Sequence, residues 1–192
     1  ADEATLYIKA DQGLRYRQES SGNIKTLDVR EEPEYIWVPA GAMTPATTNG
    51  AAAATIETTT NKVCIDLLDF DASTVEYAHA NITLDNWNAS TIKIYFHWTA
   101  ASSSGDVIWQ AQALCRGDGD VLDTAFGTAQ SVTDTLGTVD TLRRTSATAA
   151  ITPSGTLANN KTLLIRVSRN ATSGSDTLAA DASLIGFGVE YY

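Results

Sequence analysis

The sequence predicts an all-β protein: an antiparallel β-sandwich of jelly-roll type, preceded by a short β-rich N-terminal arm. Apolar and polar side chains alternate along much of the chain, which is the period of strands with one buried face. Threonine, valine and aromatic residues are abundant, and such side chains pack well on a pleated surface. Gly, Ser and Pro turn signals separate the segments at intervals typical of a sandwich.

The clearest strand is predicted at Thr91–Thr99. On one parity it carries Ile92, Ile94, Phe96 and Trp98, and on the other Lys93, Tyr95 and His97. The first set is expected to face the core and the second to face away from it. After a turn at Ser102–Asp106, a second strand continues the apolar parity. The predicted core therefore contains Ile92, Ile94, Phe96, Trp98, Val107 and Trp109.

The remaining elements follow from the same two signals, alternation and turn residues. Strands are predicted at Tyr35–Pro39, Asn61–Phe70, Glu76–Leu84, Val107–Cys115, Ala147–Thr152, Thr162–Arg169 and Ser183–Tyr192, with two more inside Thr128–Ser146. Loops are predicted at Ala40–Ala54, where Ala51–Ala54 could form one helical turn, and at Arg116–Gly127. A jelly roll is favoured over an immunoglobulin-like sandwich, because the chain is long for the latter and has no Cys–Trp–Cys spacing.

Charge divides the chain into an arm, residues 1–34, and a body, residues 35–192. The arm holds 13 charged side chains of mixed sign, whereas the much longer body holds 23, of which 15 are acidic. Short strands are predicted within the arm at Leu6–Lys9, Leu14–Arg17 and Ile24–Leu27. Three strands of this length bury too little apolar surface to be stable alone, so the arm is expected to need a partner surface, either the body, another subunit or another protein. The predicted attachment residues are Leu6, Tyr7, Ile8, Leu14, Arg15, Tyr16, Arg17, Ile24 and Leu27.

Net charge limits the classes of partner. The chain carries a formal net charge of −10, which repels phosphate backbones and anionic lipid surfaces. We therefore expect neither nucleic acid nor membrane as a partner. No apolar run approaches the roughly 20 residues of a membrane-spanning helix.

Candidate chemistry is sparse in the sequence. His79 and His97 are the two histidines, and no nucleophile motif or metal-ligand spacing accompanies either of them. Acidic residues at 118, 120 and 123 lie in a glycine-rich loop, which is either a solvated loop or a calcium site. A carbohydrate-binding face could be built from exposed tryptophans, of which Trp87 is the best candidate by context. No cofactor, resident metal or catalytic residue is predicted.

Several segments of the body resemble structural proteins of tailed bacteriophages. The resemblance covers roughly residues 35–192 and rests on aromatic strands and Gly/Ser/Asp turns in the same order. Its motifs are Tyr35–Met43, Phe70–Thr74, Phe96–Ala101, Ser104–Trp109 and Ser173–Ala182. Similar modules occur in head decoration (cement) proteins and in tail-fibre or receptor-binding tips.

The resemblance implies a non-enzymatic virion component that is commonly trimeric and is made in the host cytoplasm. A decoration protein would lie on the outer surface of the phage particle and contact the major capsid protein. The alternative is a tail-fibre or receptor-binding module that binds carbohydrate. The short chain favours decoration, because fibres usually carry long shafts. A self-association interface is predicted around Tyr95 and His97, where an otherwise polar strand face carries an aromatic ring and few charges.

Overall fold

The computed structural model describes residues 4–9, 13–18, 24–26, 33–84 and 90–191, the first three ranges as backbone alone. The chain divides into two units, Ala1–Glu32 and Pro33–Tyr192. Both are β-structures, and every pairing between described strands is antiparallel.

The first unit is a three-stranded sheet in the order β1-β2-β3. Its strands are β1 (Ala4–Lys9), β2 (Gly13–Gln18) and β3 (Ile24–Thr26). Each strand is paired only with its neighbour in sequence, so the unit is a meander. The three predicted arm strands are thus present, and Leu27 lies outside the described residues.

The second unit consists of eleven described strands and one 3-10 turn, Ala40–Ala42. The strands are β4 (Glu34–Pro39), β5 (Thr44–Pro45), β6 (Ala52–Glu57), β7 (Cys64–Phe70), β8 (Tyr77–Thr83), β9 (Lys93–Thr99), β10 (Gly105–Arg116), β11 (Gln130–Leu136), β12 (Arg143–Arg144), β13 (Thr162–Arg169) and β14 (Ala182–Tyr191). They form two sheets packed face to face.

The strand order is that of a jelly roll. One sheet has the order β11-β10-β13-β8-β5. The other has the order β12-β9-β14-β7-β6, and β4 is paired with β14 as its sixth strand. Strands β7 to β14 divide between the sheets as the eight strands of two Greek keys, and β4, β5 and β6 are additions to that frame. The predicted sandwich class is confirmed.

Two predicted elements are wrong, and tertiary pairing explains both. The Ala40–Ala54 loop contains β5, and Ala51–Ala54 forms no helical turn, because Ala52 begins β6 and is paired with Asp69 of β7. This pairing overrides the helix preference of alanine. The predicted strand Ala147–Thr152 contains only an isolated bridge at Ile151.

Side-chain hydroxyls replace regular pairing beside β9. Thr148 Oγ1 accepts the backbone N–H of Ile94 at 3.1 Å, and Thr145 Oγ1 accepts that of Phe96 at 3.0 Å. The segment before Ile151 therefore follows β9 without becoming a strand. The start of β7 also differs, because residues 58–63 form a turn in which Lys62 has a φ of 56°, so the strand begins at Cys64 rather than Asn61.

The core is aromatic at its centre, as the alternation of β9 and β10 predicts. The ring centroid of Trp109 lies 5.2 Å from that of Phe70, 5.3 Å from that of Phe96 and 6.1 Å from that of Trp98. All six predicted core residues are buried. The Trp98 indole Nε1–H donates to Asp134 at 2.9 Å, which satisfies its polar atom inside the sandwich.

A buried cation lies at the edge of this core. Arg169, the last residue of β13, is fully buried and donates to both carboxylate oxygens of Asp176. It also donates to three backbone carbonyls, those of Phe70, Leu178 and Ala180. Because all five N–H groups have acceptors, the charge is tolerated, and it holds the segment between β13 and β14 against the strands.

Candidate functional site: an aromatic sheet face

The outer face of the six-stranded sheet carries a cluster of rings, Tyr35 and Trp37 from β4 and Tyr95 and His97 from β9, which we call the aromatic face. Strand β14 runs between β4 and β9 and places glycines opposite these residues. Gly188 is paired with both Tyr95 and Trp37, and Gly186 is paired with His97. The two predicted interface residues therefore lie in one cluster, which β4 completes.

The glycines allow the rings to lie directly on the sheet. A Cβ atom on Gly188 would lie 2.0 Å from Tyr95 Cζ, and one on Gly186 would lie 2.6 Å from Trp37 Cζ2. A Cβ at either position would require the neighbouring ring to move, so the rings cover backbone that glycine leaves open. This role was not predicted from the sequence, although two glycines inside a strand pattern are a signal of close approach.

The rings form a continuous layer. The Trp37 and His97 centroids are 4.8 Å apart, and those of Tyr35 and Tyr95 are 6.4 Å apart. The guanidinium carbon of Arg144, on β12, lies 4.0 Å above the Tyr95 ring. Tyr95 and His97 are half-buried by this layer, whereas Tyr35 is 54% and Trp37 45% exposed. The surface presented to solvent is therefore formed mainly by the β4 residues rather than by the predicted pair.

An apolar groove of about 570 Å³ adjoins the aromatic face. Its apolar lining includes Ile56, Ile65, Leu67, Leu142 and Ile185. Ile56 is 40% and Leu142 64% exposed, which is unusual for large aliphatic side chains that are grouped together. The groove continues the aromatic face into one apolar surface across the sheet.

Two polar atoms at the groove lack partners. His97 Nε2 and Thr99 Oγ1 are buried, and the described residues offer neither of them a hydrogen bond. Burial lowers the pKa of His97, and the positive charge of nearby Arg144 lowers it further. Both effects favour the neutral form of the imidazole. A buried polar atom without a partner is costly, so a docked surface that supplied a hydrogen bond would gain free energy.

The other candidate residues do not join this cluster. His79 lies on the outer face of the other sheet, with its ring 6.0 Å from that of Phe126. Trp98 and Trp109 are core residues, and Trp87 lies outside the described residues. In the part of the chain that the structure describes, no three His, Cys, Asp or Glu side chains are grouped to hold a metal ion.

One carboxylate of the acidic loop has a structural role. Asp120 accepts the backbone N–H of Gly117 at 2.8 Å, and Lys161 Nζ lies 3.9 Å from the same carboxylate. The Gly117 hydrogen bond and the Lys161 charge lower the pKa of Asp120. Asp120 therefore closes a turn.

The predicted attachment residues of the arm are placed by backbone register. Leu6 is paired with Tyr16, Ile8 with Leu14, Tyr7 with Arg15 and Arg17 with Ile24. Residues directly opposite one another share a face of the sheet, so the first two pairs occupy neighbouring positions on one face. That face of a three-stranded meander is predominantly apolar by sequence.

No protein-family model matches the chain, and no curated protein matches it. Within the described residues, no helix is long and apolar enough to cross a membrane.

Proposed function

We propose that this protein is a non-enzymatic structural component of a phage particle, a decoration (cement) protein on the outer surface of the head. In this proposal the arm contacts the major capsid protein or a neighbouring subunit, and the sandwich stands outside. The proposal begins from the resemblance of residues 35–192 to tailed-phage structural proteins. The jelly-roll body and the separate β-meander are compatible with it.

The observation that supports an assembly role best is the aromatic face with its groove. Exposed, contiguous apolar surface on a folded domain marks an interaction site. Trp and Tyr are the residues that most often contribute binding energy at such interfaces, and Tyr35 and Trp37 are both exposed here. We propose that this face is the contact between copies of the sandwich in a homotrimer.

The first experiment measures the mass of the full chain by light scattering at micromolar concentration. We expect a trimer mass for the wild type and a monomer mass for Trp37→Ala. The matched control is Leu122→Ala, because Leu122 is 73% exposed but lies in the loop after β10, away from the aromatic face. A monomeric wild type, or equal loss of mass in both variants, would contradict the proposed interface.

The second experiment tests attachment. Residues 1–34 are deleted and incorporation of the chain into virions is measured, with circular dichroism to establish that the body folds. We expect a folded body that no longer joins the particle. Incorporation at full occupancy would show that the sandwich itself docks.

Copy number in purified virions separates the head proposal from its alternative. A copy number comparable to that of the major capsid protein supports decoration. A few copies per particle would instead support the tail-fibre or receptor-binding module, for which the exposed Tyr35 and Trp37 rings could serve as a stacking platform for sugars.

A further inference from the structure

Arg166 occupies the middle of the outer face of the five-stranded sheet, on the opposite side of the sandwich from the aromatic face. On β13 it is paired with Gln112 of β10 and with His79 of β8. Thr44 of β5 is paired in turn with His79. A row of four polar residues therefore crosses the sheet with one cation among them.

Two aromatic rings hold the guanidinium. Its central carbon lies 4.9 Å from the Tyr77 ring centroid and 4.7 Å from that of Phe126. Rings beside a guanidinium attract it and restrict its orientation, while the N–H groups at its edge stay available for a ligand. Such a preorganised fork loses little conformational freedom when it binds.

Arg166 also differs from most basic residues of the body in having no acceptor. Five of the eight basic residues from Pro33 onward form ion pairs with carboxylates, those at Lys62, Lys93, Arg143, Lys161 and Arg169. Arg116 donates to the carbonyl of Cys115. Among the described residues, Arg144 and Arg166 have neither kind of partner, and Arg166 Nε is buried without an acceptor. In a chain of net charge −10, a cation left unpaired next to a groove is available to an external anion.

A groove of about 730 Å³ lies on the same sheet; Arg166 and its two rings do not line it, but His79, whose ring centroid is 6.0 Å from that of Phe126, does. His79 and Leu164 contribute to its lining, and these are the cross-strand partner of Arg166 and the residue two positions before it. Half of the remaining lining residues carry hydroxyl or amide groups, Thr44, Thr47, Thr48 and Asn81, and the other half are alanines and a proline. A ligand that reached Arg166 from this groove would therefore meet hydrogen-bonding groups suited to hydroxyls.

We propose that Arg166 and this groove form a binding site for an acidic sugar, with its carboxylate on the guanidinium and its hydroxyls on the threonine and asparagine side chains. A planar carboxylate matches the guanidinium fork in two parallel hydrogen bonds. The carboxylate of such a sugar carries one negative charge, whereas a phosphate monoester carries more. The acidic protein therefore repels the sugar less than it would repel the phosphate monoester. Neutral sugars lack the group that Arg166 would recognise.

The test is calorimetric titration of the full chain with glucuronate, in parallel with glucose and with inorganic phosphate. We expect saturable binding of glucuronate and at least about tenfold weaker binding of glucose and of phosphate. Loss of a charge-assisted hydrogen bond lowers the affinity by about tenfold or more. Equal binding of glucose would overturn the role of the carboxylate. Equal or tighter binding of phosphate would overturn the sugar in favour of a simple anion site.

Variants locate the site. Arg166→Met should abolish glucuronate binding, and Arg166→Lys should weaken it at least about tenfold, because lysine keeps the charge but lacks the planar fork. Arg144→Met is the matched control and should bind glucuronate as the wild type does. Phe126→Ala, in the loop after β10, should also weaken binding if the ring orients the guanidinium. Undiminished binding in Arg166→Lys and Phe126→Ala, or no glucuronate binding by the wild type, would overturn the proposal.

Discussion

Strand β13 carries two arginines three residues apart on opposite faces of its sheet, and their surroundings differ completely. Arg169 points into the sandwich, is fully buried and donates five hydrogen bonds. Arg166 points outward between two rings and has no acceptor among the described residues. A buried cation requires every donor to be satisfied, whereas a half-exposed one can be held by ring faces and keep its donors available.

The largest expected effect is on the inner arginine. Arg169→Met should lower the free energy of unfolding by about 3–5 kcal/mol, because it leaves the buried Asp176 carboxylate without its cation. Arg166→Met should change it by less than about 1 kcal/mol. Urea denaturation of both variants measures the difference, and Arg169→Lys serves if the methionine variant does not fold. Similar losses in the two would remove the distinction between the faces.

An effect of comparable size is expected for an apolar pair on the six-stranded sheet. Trp98→Ala should cost about 3–5 kcal/mol through lost transfer free energy and a cavity at the centre of the core. Trp37→Ala should cost clearly less, since that ring is 45% exposed, and should act mainly on self-association. Denaturation curves and light scattering on the same samples separate the two effects. Unaltered association in a stable Trp37→Ala would weaken the proposed interface.

A smaller loss of stability is expected when a glycine beneath the aromatic face is replaced. Gly188→Ala should destabilise the fold by about 1–3 kcal/mol, because its Cβ would overlap the Tyr95 ring. Gly137→Ala is the control, since a Cβ there meets no atom within 4 Å. The double variant with Tyr95→Ala should recover part of the loss, as a double-mutant cycle would show. Equal effects at Gly137 and Gly188 would contradict the close approach.

The smallest expected effect is on the pH dependence of the free energy of unfolding. Burial and a neighbouring arginine lower the pKa of His97 and of His79 in the folded state. The unfolded chain then binds more protons in this range, so stability should fall as the pH drops from about 6.5 towards the lower folded-state values. His97→Gln should remove its share of this slope, and NMR titration of the imidazole gives the folded pKa directly. A folded pKa equal to the unfolded one would remove this slope, and a higher one would reverse its sign.

The alternation of apolar and polar side chains predicted the core residues and, with the turn residues, the fold class. It placed Trp98 and Trp109 in the core, because a strand with one buried face has a period of two residues. Turn residues separated the strands well enough to indicate a sandwich. Arg169 has the same parity as the buried Val167, but its acceptors lie in a loop and on another strand, which no local pattern relates to it.

Tertiary structure alone decided which distant residues meet. The register of β4 and β9 against β14 placed Trp37 and Tyr95 opposite Gly188. Pairing with β7 made Ala52 the start of a strand. Strand β13 lies between β8 and β10 in the sheet, and this pairing put Arg166 beside His79 and Gln112. The local sequence specifies the period of a strand and therefore which side chains share a face. Neighbours across a sheet depend on long-range pairing, because register is set by the packing of the whole sandwich.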